Sequence, residues 1–176
     1  MKKYVTLIVL LICFCSLAQS LQNQSNLSAR ALEAYKQKAE DKVSEFYNYV
    51  ELLTNPALNS KMKEHTANEA LKLFETSQTI TYNIFNKRET NPTITQLLND
   101  AARQKKQYHF KITAITATPQ YQNTEREKWL IVYTLTINST KEIRLQQFFI
   151  IVQEDKKFGD SIKQVRNTYL GKITIF

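Results

Sequence analysis

Residues 129–153, WLIVYTLTINSTKEIRLQQFFIIVQ, decide the fold class because they hold two strand-like segments of different kinds. In the first segment, apolar residues at every second position give a strand one apolar face: Trp129, Ile131, Tyr133, Leu135 and Ile137. The second segment, residues 145–153, is apolar on both faces. Such a strand lies inside a sheet and is covered, or its second face contacts another molecule.

Another strand is predicted upstream of this stretch. After Lys106 the apolar period changes from that of a helix to that of a strand, with Phe110, Ile112 and Ala114 on one face. We expect Pro119 to end that strand and residues 125–128 to form a charged turn.

The chain downstream is predicted to close an antiparallel sheet. Gly159 marks a hairpin turn at residues 158–160, and a last strand covers residues 161–176. Three residues of that strand are predicted to point inward: Tyr169, Ile173 and Ile175.

The residues before the strands are predicted to be mainly helical. After an N-cap at Ser28, a stripe at spacings of three and four predicts one long helix: Leu32, Tyr35, Ala39, Val43, Phe46, Val50 and Leu53. A coiled coil is the alternative, but this aromatic mixture suits packing on a sheet better. Pro56 is expected to open a second helix that runs to about Glu75. The residues expected on the inner side of this helix are Leu58, Met62, Ala70, Leu71 and Phe74.

A short strand and a third helix are expected between the second helix and the sheet. Residues 79–85 are rich in β-branched and aromatic side chains, which favours a strand. Thr93 and Gln96 have the spacing of a capping box and predict the start of the third helix.

The N-terminal residues have the pattern of a secretory signal peptide. Lys2 and Lys3 precede an apolar run that is too short to span a bilayer, and small residues follow at Ser16 and Ala18. We therefore predict a cleaved signal peptide over 1–18, a flexible leader over 19–28 and a single α+β domain over 29–176. The exported chain would be periplasmic, at the cell surface or secreted, and not transmembrane after cleavage. The short lysine-headed signal favours a bacterial source, and lipid attachment at Cys13 or Cys15 is the weaker alternative.

Composition excludes several classes of function. The chain has 24 Lys and Arg against 16 Asp and Glu, a net charge of +8, but its basic clusters are short and lack interleaved aromatics, so no nucleic-acid partner is expected. Two glycines cannot build a phosphate-binding loop. The expected mature chain has no cysteine, and neither His65 nor His109 has ligands at metal spacing. No cofactor, metal or catalytic residue is therefore predicted.

The element order of helices followed by antiparallel strands resembles the nuclear transport factor-like superfamily, also called the SnoaL-like or cystatin-like cone. The resemblance covers roughly residues 32–176 and implies a long helix lying across a curved antiparallel sheet. It also implies a cavity between that helix and the sheet. On this basis the residues expected to line the cavity are Phe46, Val50, Phe110, Trp129, Tyr133 and Phe149.

These features favour a non-catalytic binding or scaffolding module of a bacterial envelope. Its partner would be another protein or an apolar ligand. The alternative is a small cone enzyme of the isomerase, cyclase or hydrolase type that acts on an apolar molecule, with Asp100 or His109 as its acid or base. A third possibility is a structural unit that forms homo-oligomers through the outer face of its sheet.

Overall fold

A computed structural model describes residues 28–85, 91–122 and 125–176. The predicted signal peptide, and the predicted leader up to residue 27, lie outside the described residues. In the described part, three helices precede a four-stranded antiparallel sheet, which confirms the predicted α+β class. None of these helices combines the length and the apolar character needed to cross a bilayer.

Helix α1, Ala29–Thr54, is the long helix that the apolar stripe predicts. The Ser28 side chain caps it by accepting a hydrogen bond from the Ala31 N–H at 3.2 Å. Residues on its buried side include Val43, Phe46 and Val50, and they belong to the same core as the sheet residues Trp129 and Phe149. The helix therefore packs on the sheet rather than on a coiled-coil partner.

Helix α2, Ser60–Lys72, begins later than predicted. Pro56 is not its first residue, because the Asn55 side chain accepts from the Ala57 N–H at 2.9 Å and holds a turn there. Asn59 then caps the helix by accepting from the Met62 N–H at 2.9 Å. Met62 is 52% exposed, so the inward position predicted for it was wrong.

Helix α3, Ile94–Ala102, starts as predicted. The Thr93 side chain accepts from the Gln96 N–H at 3.3 Å, and the Gln96 side chain accepts from the Thr93 N–H at 2.9 Å, so the capping box is complete. Its apolar residues Leu97 and Leu98 are buried in the core.

The strand predicted over residues 79–85 was wrong. Only an isolated bridge joins Ile80 to Thr93 there. The hydrogen bonds of this segment go to two neighbours: Thr79 O accepts from the Ile94 N–H, and Ile80 O accepts from the Ile173 N–H. Backbone groups divided between two partners do not form a continuous ladder, so the segment stays irregular.

The sheet consists of β1 (Phe110–Gln122), β2 (Arg126–Ile137), β3 (Lys141–Phe158) and β4 (Ser161–Ile175), paired in that order. The predicted face of β2 is buried at every position from Trp129 to Ile137. As its apolar character predicts, β3 is an inner strand, between β2 and β4. The predicted turn at residues 125–128 was wrong, because β2 already begins at Arg126.

The predictions for three other residues were wrong: Ala114, Pro119 and Tyr169. In β1 a shift between Thr113 and Thr116 leaves Ala114 exposed at φ 51°, and the strand continues through Pro119. Proline is tolerated there because β1 is an edge strand, whose outward N–H groups need no partner. In β4 a shift beside Leu170 places Tyr169 opposite Ile150, so Tyr169 lies on the outer face rather than inward. Such bulges bend and twist a strand.

Candidate functional site

The residues predicted to line a cavity come together in the core between α1 and the sheet. Phe46, Val50, Tyr133 and Phe149 are 0% exposed and Trp129 is 2% exposed, while Phe110 is partly buried against them. Aromatic contacts link the two layers, as where the Tyr47 ring lies 5.7 Å from that of Phe110. The structure thus groups the six residues, and their role in binding a ligand stays a prediction.

A chain of hydrogen bonds crosses this apolar core. Tyr47 Oη lies 3.0 Å from Tyr133 Oη, which lies 3.2 Å from Gln147 Oε1. Because the amide oxygen only accepts, Tyr133 donates to Gln147, and Tyr47 must donate to Tyr133. The Gln147 amide in turn donates to Gly171 O at 3.5 Å. This tyrosine–glutamine chain joins α1 to β2, β3 and β4.

Tyr47 and Gln147 are the two members of this chain that the sequence analysis did not place in the core. Gln147 could have been found, because it lies two residues from Leu145 and two from Phe149, on the buried face of β3. Tyr47 has no comparable signal, since it lies beside the stripe residue Phe46 on the same helix.

Burial controls the chemistry of both tyrosines. Desolvation raises the pKa of Tyr47 above its ordinary value, although its hydrogen bond to Tyr133 acts in the opposite direction. Desolvation also raises the pKa of Tyr133 well above its ordinary value, and the neighbouring Tyr47 adds to that shift. Both hydroxyls are therefore neutral near pH 7 and serve as hydrogen-bond groups rather than as bases.

The two candidate acid–base residues do not join this chain. The His109 side chain is 68% exposed at the start of β1, where its Nδ1 lies 3.0 Å from Glu51 Oε1. The other carboxylate oxygen of Glu51 accepts from the Phe110 N–H at 3.0 Å, so this group anchors the strand to α1. Asp100 is a half-buried residue of α3. Across the described ranges, no three His, Cys, Asp or Glu residues are grouped as metal ligands.

The outer face of the sheet, turned away from α1, combines basic and aromatic side chains. Strand alternation and register show which charged residues lie on this face. The basic ones are Lys111, Arg126, Lys128, Arg144, Lys156, Lys163 and Lys172, and the acidic ones are Glu142 and Glu154. Cations lie over aromatic rings on this face, with Lys128 Nζ 3.6 Å from the Phe148 centroid. The excess of positive charge makes this face attractive to anions.

A groove of about 350 Å³ opens on this face beside the segment that follows α2. We call it the outer groove. Ile80, Phe148 and Ile150 give it an apolar lining, and Lys128 and Lys172 bring ammonium groups to it. At one end Arg126 donates two hydrogen bonds to Glu75, at 2.8 and 2.6 Å.

Gly171 is needed where β4 borders the outer groove. A Cβ at this position would lie 3.0 Å from Phe148 Cβ and 3.2 Å from Ile150 Cδ1. The missing side chain therefore lets β4 pass close to both residues while the groove stays open beside them.

A second groove, of about 390 Å³, lies between α2 and α3. Its two charged residues are Lys63 and Glu64, and Lys63 Nζ already donates to Ala102 O at 2.8 Å. Because its charges are balanced, this groove has less reason to attract a charged ligand than the outer groove has.

Comparison with solved structures gives a likeness in fold. No protein family and no curated protein matches the sequence. A solved structure from Novosphingobium aromaticivorans, titled "Putative Scytalone Dehydratase", matches with a TM-score of 0.40 and 12% identity, over 80% of this chain and 86% of that chain. A likeness of this degree carries no information about activity.

Proposed function

We propose that this chain is an exported, non-catalytic binding module of a bacterial envelope, and that its outer groove binds an anionic amphiphile. The ligand class is a molecule with an alkyl part and a carboxylate or phosphate head. The observation that carries the proposal is the pair Lys128 and Lys172 beside the apolar lining of one groove. Export is inferred from the signal-peptide pattern.

The chemistry of the groove suits such a ligand in both of its parts. An alkyl chain would lie along Ile80 and Ile150 beside the Phe148 ring, over which Lys128 Nζ is placed, and burial of apolar surface is favourable by about 25 cal/mol per Å². The anionic head would meet Lys128 and Lys172, and hydrogen bonds between charged groups are roughly twice as strong as neutral ones. Within the described residues, neither lysine forms an ion pair that a ligand would have to break.

Calorimetric titration with dodecyl phosphate, below its micelle concentration, tests the groove. We expect saturable binding that weakens at least tenfold in a K128Q/K172Q variant, with dodecanol bound more weakly than dodecyl phosphate by the original chain. A K61Q/K105Q variant is the matched control, because it loses the same charge at exposed helix and loop positions. The groove proposal fails if dodecyl phosphate does not bind, or if both variants lose the same affinity.

Export has its own test, which does not depend on the ligand. The chain would be expressed in a bacterium, and N-terminal sequencing would be applied to the protein recovered outside the cytoplasm. Cleavage after Ala18 is the expected result. A full-length chain that stays in the cytoplasm would contradict export while leaving the groove experiment valid.

The small cone enzyme is the second candidate, and the polar interior is what favours it. The Trp129 indole nitrogen is buried with no hydrogen-bond partner among the described residues, and the hydroxyls of Tyr47 and Tyr133 lie in the same core. A small apolar molecule with one polar atom could use these groups. Native mass spectrometry of the chain purified from cells tests this: a bound molecule displaced by a V50W substitution supports it, and a clean unliganded mass counts against it.

Scaffolding of another protein and self-association stay predictions. The basic charge of the outer face argues against pairing of two copies through that face, because like charges would meet. Light scattering of the purified chain at rising concentration tests this, and a dimer broken by a change at Phe148 would show that the outer face mediates self-association.

A further inference from the structure

A third groove adjoins the outer groove on the same face of the sheet. It has a volume of about 280 Å³, and Phe148 and Lys172 line both grooves. We call it the adjoining groove, and its other outward-facing residues are Leu130, Gln146 and Thr174. Because the two grooves share two of their lining residues, one elongated ligand can occupy both.

A bulge in β4 places a cation where the two grooves meet. The register of β3 with β4 shifts between Gln147 and Phe149, where β4 has one residue more than β3. The β4 residues at this shift are Gly171 and Lys172, and Lys172 is exposed. Bulges often re-aim a side chain in this way. The ammonium group of Lys172 is therefore available to a ligand that crosses from one groove into the other.

The two grooves together are positively charged. The charged residues that line them are Glu75, Arg126, Lys128 and Lys172, three cations and one carboxylate, which gives a net charge of +2. Arg126 and Glu75 neutralise each other through two hydrogen bonds and line the outer groove only. The described lining of the adjoining groove includes no acidic residue. Lys128 and Lys172 are thus the pair that attracts an anion.

The polar groups of the adjoining groove suit hydroxyl groups better than a second anion. Gln146 donates one amide N–H to Thr174 Oγ1 at 3.1 Å. That bond leaves the Gln146 amide oxygen as an acceptor, and it leaves the second amide N–H and the Thr174 hydroxyl proton as donors. An anionic oxygen only accepts, whereas a hydroxyl both donates and accepts. Neighbouring hydroxyls of a polyol can therefore use the acceptor and the donors together.

We propose that the ligand of the outer groove is a phosphodiester lipid whose head, beyond the phosphate, is a polyol such as glycerol or a sugar. This inference rests on the proposed function and extends it into the adjoining groove. The alkyl chain would lie in the outer groove, the phosphate would meet Lys128 and Lys172, and the hydroxyls would meet Gln146 and Thr174. A carboxylate is a terminal group, whereas a phosphodiester joins an alkyl chain to a polyol and keeps a negative charge between them.

Calorimetric titration of the full chain with two lipids tests the polyol. Dodecyl methyl phosphate and dodecyl phosphoglycerol have the same alkyl chain and one negative charge each, and both are used below their micelle concentrations. We expect dodecyl phosphoglycerol to bind about tenfold more tightly, because the added hydroxyls gain one or two net hydrogen bonds.

A double substitution in the adjoining groove tests where the polyol lies. Q146L/T174V replaces both partners of one hydrogen bond by apolar groups of similar shape, which costs a fold little. The matched control is T134V/T136V, which removes two hydroxyls from outward positions of β2 that line neither groove. The ratio of the two affinities should fall to about one in Q146L/T174V and stay at about ten in the control.

The outcomes separate this inference from the proposed function. Equal affinity for the two lipids in the original chain would overturn the polyol head, while binding of dodecyl methyl phosphate would still support the outer groove. Failure of dodecyl phosphate and of both diesters to bind would refute both proposals. Glycerol 3-phosphate bound as tightly as dodecyl phosphoglycerol would show that the ligand is a free polyol phosphate and not a lipid. An unchanged ratio in Q146L/T174V would contradict the placement of the polyol.

Discussion

Replacement of Tyr133 by Phe should cost more than replacement of Tyr47, although both side chains are fully buried and lose one hydroxyl. The reason is the direction of the tyrosine–glutamine chain. Tyr133 accepts from Tyr47 and donates to Gln147, at 3.0 and 3.2 Å, so its hydroxyl serves two partners. The Tyr47 hydroxyl serves one.

The magnitudes follow from which groups each change leaves without a partner. Y133F leaves a buried donor on Tyr47 and a buried acceptor on Gln147, and each buried unsatisfied group costs about 1–3 kcal/mol. Y47F removes one hydrogen bond, worth about 1 kcal/mol, while Tyr133 still donates to Gln147. We therefore expect Y133F to lower the free energy of unfolding by about 2–6 kcal/mol and Y47F by about 1 kcal/mol.

Urea unfolding of the two single variants and of the double variant measures this difference. In the Y133F background the Y47F change removes the stranded donor, so it should restore about 1 kcal/mol rather than cost it. Near-UV circular dichroism serves as the control that packing around the rings is unchanged. Equal costs for the two single variants, or strictly additive costs in the double variant, would refute the assigned direction of the chain.

Two further predictions concern pH and packing. Burial raises the pKa of Tyr47 and Tyr133 above that of unfolded tyrosine, so their contribution to stability is complete below about pH 10 and is lost as the pH rises further. Between pH 10 and its pKa in the folded state, each tyrosine should make the free energy of unfolding fall by about 1.4 kcal/mol per pH unit. A Y47F/Y133F variant whose stability falls equally steeply at alkaline pH would contradict this. G171A should cost about 1–3 kcal/mol in urea unfolding, because the new Cβ would lie 3.0 Å from Phe148 Cβ. The control is G159A, where the new Cβ would meet no atom within 4 Å but the backbone has a φ of 61°, so the variant should lose about 1 kcal/mol. A cost for G171A below that of G159A would mean that Phe148 moves away freely.

The sequence predicted most of what depends on local periodicity and side-chain caps. The α1 stripe, the buried face of β2 and the Thr93–Gln96 capping box all depend on residues a few positions apart. The predictions were wrong where contacts between residues far apart in the sequence determine the local structure. Residues 79–85 look like a strand, but Thr79 and Ile80 hydrogen-bond to α3 and β4 instead of forming one ladder.

Periodicity in the sequence could not predict the outer groove, and Tyr169 shows the reason. Alternation counted back from Ile173 places Tyr169 inward, and the register shift beside Leu170 reverses it. The hairpin turn at Gly159 fixes the pairing of β3 with β4 up to that shift, and this pairing places Tyr169 opposite Ile150. Lys128 and Lys172 are brought to one groove only by the register of three strands.

The distribution of hydrogen bonds also favours the outer face over the interior as the binding surface. A ligand acceptor that enters the core could take the unpartnered Trp129 N–H, but it can accept from Tyr47 or Tyr133 only by replacing a bond in the tyrosine–glutamine chain, because each already donates its single hydroxyl proton. That exchange brings little net gain, since one buried hydrogen bond is lost for each one formed. At the outer groove an anion would meet Lys128 and Lys172 without displacing an acidic side chain in the described part of the chain. The same ligand therefore gains more outside than inside, and the long apolar strand β3 is what provides an apolar surface on both sides of the sheet.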